Sequence, residues 1–384
     1  MPTMSYHLAV TCTFRKVDLD MKRIPSITAA ILVILLIMSG CQSEEEATNN
    51  EEDETGIEED ENDEKVIEQD VEEEAEPVYD QTYPLTGIGT NEDVDYRAFG
   101  VMIENSQSAR PHSGLYQADV VYEVLAEGSI TRLLAIFHSQ QPERIGNVRS
   151  ARDYYIYLNN GLNAIYASAG GSPGAFDLIE QRAVDFISGL VYDGTYFTRS
   201  SHRNAPHNMY TTFANLVEAA EQIGYDTSLK PPELPFTEEL ELTEGADVTE
   251  FEIDYGSSSN NVQYSYDREN KVYVRSVGGQ LVNDSETNDP VAPKNVFIVE
   301  TEHRVIDDQG RRHVDIESGG NAYLIQEGVL QEVEWRNVDG VLLPYKDGDR
   351  LSLLPGQTFI NLVPTNNGGI ESRVSIPADA NAGS

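Results

Sequence analysis

From Gln42 to Glu76 the chain is an almost unbroken acidic run, with 19 Asp and Glu against the single Lys65. Nothing else in the sequence limits the fold as much. A stretch of this composition cannot bury enough apolar surface to offset its ordering entropy, and its like charges push it open. A disordered linker over 42–83 is therefore expected, separating a leader of 41 residues from a body of about 300 residues, and reaching on the order of 30 Å at roughly 5–6 Å times the square root of length. The body stays acidic without it. Of the whole-chain charge of −40, residues 77–384 keep 45 acidic and 21 basic side chains, a net of −24. Such a surface repels a phosphate backbone, so no nucleic-acid partner is expected.

The leader has the grammar of an export signal. Lys22 and Arg23 precede an apolar run from Ile27 to Met38, too short for a comfortable membrane span, and small residues follow. Met38-Ser39-Gly40-Cys41 resembles a bacterial lipobox, with Met38 where leucine is usual. That resemblance implies cleavage before Cys41, a diacylglycerol on its thiol, and a bilayer-anchored protein on the extracytoplasmic face of the cell membrane. Residues 1–20 read as an extension upstream of a start at Met21. The remaining cysteine, Cys12, lies before the cut, so the mature chain keeps no thiol for a disulfide, a cysteine metal site or a cysteine nucleophile.

Within the body, Pro231, Pro232 and Pro235 interrupt any helix and mark a linker over 231–247. Residues 84–230 read as an α+β or α/β domain. Apolar runs of strand length occur in "RAFGVMIEN", "ADVVYEVLAE", "TRLLAIFHS" and "AIYASAGG"; "RDYYIYLNNGL" fits helix or strand. "SPGAFDLIEQRA" reads as a helix with Phe176, Ile179 and Ala183 on one side. "TTFANLVEAAEQIGY" reads as a helix capped by Thr211 or Thr212 and stopped at Gly224. Residues 248–376 alternate in short strands and predict a mainly antiparallel β domain, with a disordered tail over 377–384.

The chemistry concentrates upstream. Arg110, Arg132, Arg149, Arg152 and Arg203, with Glu123, Glu127, His207 and Asn208, crowd into about a hundred residues of an acidic protein. Guanidinium groups hold phosphate or carboxylate in bidentate fashion and keep their charge when desolvated, which suggests an anion pocket. If the segment were helical, Arg149 and Arg152 would share a face, and "AGGS" could add a nest of backbone N–H groups. The competing reading pairs these arginines internally with Glu123, Glu127 and Asp153. A wall hydrolase or transferase using Glu123, Glu127 or His207 as acid or base is a further alternative, and catalytic activity stays open. Ser150 and Ser172 lack a nucleophile elbow, and His202 and His207 lack a recognisable ligand spacing, so neither a metal nor a cofactor is expected. Trp335, Tyr255, Tyr264, Tyr266 and Tyr273 fit core and cross-strand positions better than a sugar platform.

The order "VMIEN", "ARPHSGL", "ADVVYE", "EGSITRL", then "IGNVRSARDY", then "RNAPHNMYT", with "PGQTFINLVP" near the end, resembles the YerB-like lipoprotein family of Gram-positive bacteria. It covers nearly all of the body. The resemblance implies an N-terminal and a C-terminal domain, both of unknown function, behind a lipid anchor, and it supplies no reaction. Together with the arginines it leads to the expectation of a lipoprotein binding an anionic cell-envelope ligand. The partner would be a cell-wall polymer, or, if the β-rich part docks through an exposed edge, another membrane protein.

Overall fold

A computed structural model describes residues 77–241 and 244–377. The leader with Cys41, the acidic run to Glu76 and the end of the tail lie outside the described residues. Among those described, no helix is long and apolar enough to cross a membrane.

The architecture is mostly β, built on a twelve-stranded mixed sheet. Its strands lie in the order Asp349–Arg350, Val341–Lys346, Val329–Val338, Gly320–Gln326, Asn295–Thr301, Thr358–Pro364, Val120–Glu127, Ile130–Phe137, Phe99–Glu104, Ile165–Ser168 and Phe186–Ser188, with Ala246–Asp247 paired to the side of Val329–Val338. Asn295–Thr301, Thr358–Pro364 and Val120–Glu127 are mutually parallel, as are Phe99–Glu104, Ile165–Ser168 and Phe186–Ser188. Ile130–Phe137 runs antiparallel between Val120–Glu127 and Phe99–Glu104. Six strands therefore point the same way.

Alternation along the strands sorts their side chains onto two cores. Phe99, Val101, Ile103, Val121, Leu125, Leu133 and Phe137 face one core with Phe213 and Leu216. Met102, Val120, Tyr122, Val124, Leu134 and Ile136 face the other, with Tyr155, Leu158 and Trp335. Burial on both faces explains why these strands read as continuous apolar runs.

The helices are α1, Asp153–Gly161, α2, Pro173–Glu180, and α3, Phe213–Ile223, followed by the short α4, Gly369–Arg373. α3 follows its sequence signals closely: the Thr212 hydroxyl accepts from Asn215 N, and Gly224 closes the helix at φ 88°. In α2 the expected face is wrong. Ala175 is the buried residue, whereas Phe176 is exposed and Ala183 falls beyond the helix.

The upstream half is not clearly α/β: its sheet is mixed, with the central strands pairing antiparallel through Ile130–Phe137, and the structure as described is mostly β with few helices. The downstream half is mainly antiparallel, and Thr358–Pro364 is its exception, inserting parallel between Asn295–Thr301 and Val120–Glu127. That pairing carries one sheet across both halves, which pack within one compact unit. The proline-bearing stretch binds to that body as well: Leu234 N donates to Pro84 O, and Leu353 N to Pro235 O. A second, five-stranded antiparallel sheet covers the first core, in the order Gln280–Leu281, Val272–Val277, Val262–Asp267, Glu250–Ile253, Val374–Ser375.

One backbone approach joins the halves on the other side. A Cβ on Gly161, at the end of α1, would lie 2.3 Å from Gly340 C and O, in the turn after Val338. Gly161→Ala is expected to cost about 1–3 kcal/mol through this overlap, measured by urea unfolding. An unchanged midpoint would mean that the turn yields freely.

Candidate functional site

The six co-directed strands end along one rim of the large sheet, at Glu104, Glu127, Ser168, Ser188, Thr301 and Pro364. In open sheets with parallel strands, this is where ligands collect. Ile130–Phe137 runs the opposite way and so begins at the same rim, bringing Arg132 there. The 147–152 segment crosses it in extended form, fixed by Arg149 N to Met102 O, Ala169 N to Arg149 O and Ala151 N to Gly170 O. Helix α1 starts only at Asp153, with Arg152 still extended at φ −130° and ψ 156°. Arg149 and Arg152 therefore share a rim and not a helix face.

Here three guanidinium groups share two carboxylates. Arg149 Nε lies 2.5 Å from Glu104 Oε2, and Arg132 Nε lies 3.7 Å from the same oxygen. Arg132 Nη2 is 3.0 Å from Glu127 Oε2, and Arg152 Nη2 pairs with Glu127 Oε1. The Arg132 and Arg152 side chains are 4% and 6% exposed, against 27% for Arg149 and 30% for Glu127. Only the latter two meet solvent appreciably. Burial works against the charge on Glu104, but Arg132 and Arg149 outweigh it and hold its carboxyl below the usual range.

The Gly-rich turn is already occupied by the protein's own groups. The Ser172 hydroxyl caps α2 by accepting from Ala175 N. An Asp153 carboxylate oxygen stands 3.5 Å from where Gly174 would carry a Cβ, beside the helix start.

The other candidates lie elsewhere. Glu123 is fully buried and cannot meet a ligand; its Oε2 faces Arg275 Nη2 at 2.8 Å, and Asn105 Nδ2 and Thr131 Oγ1 donate to its Oε1. The two carboxylates proposed for acid–base work are thus tied to different arginines. Arg110 reaches Val277 O and Ser259 O and lines a cleft of about 390 Å³ with Pro111, Leu281 and Asn283. Arg203 donates to Ser108 O and Pro111 O, and Asn208 Oδ1 accepts from Arg199. His207 is half-buried on the same loop. None of these three makes a hydrogen bond or ion pair with the Arg132, Arg149 and Arg152 group among the described residues. Trp335, Tyr255, Tyr264 and Tyr273 are buried core residues.

Comparison with known proteins gives this geometry a lineage. Residues 85–226 match the N-terminal domain, and residues 251–360 the C-terminal domain, of a protein family of unknown function, DUF3048. The chain is 44% identical over 284 residues to "Putative lipoprotein YerB" of Bacillus subtilis (strain 168), covering 73% of this chain and 86% of that protein. The chain belongs to this family. The crystal structure of the YerB protein from Bacillus subtilis superimposes with a TM-score of 0.71 at 43% identity, over 77% of this chain and 99% of that one.

In this DUF3048 chain the boundary between the two matches falls at the proline-bearing stretch, yet the sheet runs through it. The residues that reading by type passed over are Glu104 and Arg275. Both were detectable: Glu104 closes the "VMIEN" strand, and Arg275 sits at an inward position between Tyr273 and Val277.

Proposed function

We propose that the protein is a lipoprotein held on the outer face of the cytoplasmic membrane through Cys41, and that it binds an anionic cell-envelope ligand at the strand-end rim. The observation that carries this reading is the count of charges there. Arg132, Arg149 and Arg152 share Glu104 and Glu127, so the ion-paired group carries one positive charge in excess on a body of net charge −24, with Asp153 in no ion pair with it among the described residues. Arg149 is the residue placed to meet the ligand, because its guanidinium is the most exposed of the three while Glu104 fixes its direction. Arg132 and Arg152 are positioning residues that hold Glu127 from within. Muropeptide carboxylates and teichoic-acid phosphates are the ligand chemistries that suit a planar fork of donors.

Calorimetry with muropeptides and teichoic acid tests this. Arg149→Ala is expected to leave folding intact and to weaken binding by about tenfold or more, the worth of a charge-assisted contact. Binding unaltered in a folded Arg149→Ala protein would sink the rim as the ligand site. Glu127 and His207 do not favour the hydrolase reading, since Glu127 is held between two arginines and His207 lies on another loop.

A further inference from the structure

The end of the rim beyond Arg149 carries a feature that its charges do not explain. Strand Ile165–Ser168 and its parallel neighbour Phe186–Ser188 finish side by side, with Ser168 opposite Ser188. The chain leaves the first through Gly170 and Gly171 and the second through Leu190 and Val191. Both turns are tied down: Gly189 N donates to Ser168 O at 2.8 Å, Tyr192 N to Ser188 O at 3.0 Å, and Ala151 N to Gly170 O at 2.9 Å. Leu190 and Val191 are nonetheless 56% and 74% exposed, and Phe176 on α2 is 41% exposed.

These apolar side chains gather around the bare glycines. A Cβ on Gly170 would lie 3.6 Å from Leu190 Cδ1 and 3.8 Å from Ser150 Cβ, and one on Gly171 would lie 3.6 Å from Phe176 Cε1. Leu190 and Phe176 therefore flank a floor of two glycines. Ser150 borders that floor and follows Arg149 in the chain, and the Arg149 carbonyl accepts from Ala169 N at 3.0 Å. The hydroxyls nearby serve the backbone: Ser168 Oγ donates to Gly170 O, Ser188 Oγ accepts from Val191 N, and Ser172 Oγ accepts from Ala175 N. A sugar or a peptide would find few free partners among these groups, whereas a hydrocarbon chain needs none. Exposed apolar residues are ordinary when scattered singly, but a group of them at a strand-end rim marks an interaction site.

We propose that the rim binds a lipid phosphate, with its anion on Arg149 and its hydrocarbon lying over Gly170 and Gly171 between Leu190 and Phe176. This rests on the reading of Arg149 as the contact for an anion, and it narrows the ligand to an amphiphile. Charge and apolar surface each select one part of it. The ion-paired group at Arg149 has a positive charge in excess, which suits the headgroup. Every methylene laid against Leu190 and Phe176 leaves water without requiring a hydrogen bond. A glycan carboxylate or a free polyol phosphate would use the arginine and leave Leu190 and Val191 in water.

Calorimetry on residues 41–384 carrying Cys41→Ser, so that no anchor lipid competes, tests this with octyl phosphate below its micellar concentration and with inorganic phosphate. Octyl phosphate is expected to bind at least about tenfold more tightly, the gain from burying part of its chain. The double variant Leu190→Ser, Val191→Ser is expected to erase that advantage and leave inorganic phosphate unaltered. Leu281→Ser, which removes an exposed apolar residue from the five-stranded sheet, changes neither. Arg149→Ala is expected to weaken both ligands. No binding of octyl phosphate, equal binding of the two, or an octyl preference kept in the folded double variant overturns the lipid proposal alone, because the rim reading stands on muropeptides and teichoic acid. Octyl phosphate bound as tightly by folded Arg149→Ala overturns the rim reading and this proposal with it.

Discussion

Glu123→Ala is expected to destabilise the protein by about 3–5 kcal/mol, the cost of stranding one member of a buried ion pair. Its partner Arg275 is 1% exposed, so water cannot take the place of the carboxylate. Burial alone would lower the Arg275 pKa; Glu123 opposite overrides this and leaves it raised. The guanidinium also lies over Phe359, 5.2 Å from the ring centroid, and donates to the Tyr264 hydroxyl at 3.1 Å. Glu123 belongs to the large sheet and Arg275 to the five-stranded one, so the loss strikes the interface between the sheets. Urea unfolding at neutral pH measures the effect, with the slope against denaturant unchanged if the folded state keeps its extent. The double variant Glu123→Leu, Arg275→Met should recover most of the loss, since an apolar pair removes both desolvation costs. A single-variant loss under about 1 kcal/mol would mean that the pair is hydrated and contributes as a surface bridge does.

This ion pair also indicates what the sequence could and could not reveal. Strand existence was legible almost throughout, because alternation and apolar runs are local signals. So were the caps of α3 at Thr212 and Gly224, which depend on neighbours three or four residues away. Sheet membership was not legible. The insertion of Thr358–Pro364 beside Val120–Glu127 joins residues more than 230 positions apart, and no spacing within either strand encodes it. The same limit governs the arginines. Their concentration was visible by counting, but Arg149 and Arg152 take their directions from Glu104 and Glu127, on strands far away in the chain. His303 and Arg312 share a face only once His303–Val305 pairs with Arg312–Val314. A lone histidine in an alternating segment gave no reason to look there.

Acid is expected to unfold this protein early, and two buried histidines are the main reason. Burial, with Arg275, Arg110 and Arg203 adding to it, lowers the His112 pKa to about 3 even though its ring contacts Glu104 O. Burial with Arg312 and Arg373 lowers that of His303 to about 3. Each ring is neutral when folded and takes up a proton on unfolding below its ordinary value of about 6.5. Their stabilisation is therefore complete above that pH and lost as pH falls, by about 1.4 kcal/mol per unit for each ring. His138, lowered by burial, acts in the same direction. Asp119 opposes them: burial lifts its pKa to about 6, so below that point the folded state holds an extra proton, and one histidine's worth of the slope is cancelled down to the ordinary carboxylate range. Stability measured by urea between pH 7 and pH 4.5 should thus fall with a slope that grows as pH drops through about 6.5 and then levels near one histidine's worth, about 1.4 kcal/mol per unit, with His138 adding to it. A flat profile would mean that the histidines are hydrated and titrate normally.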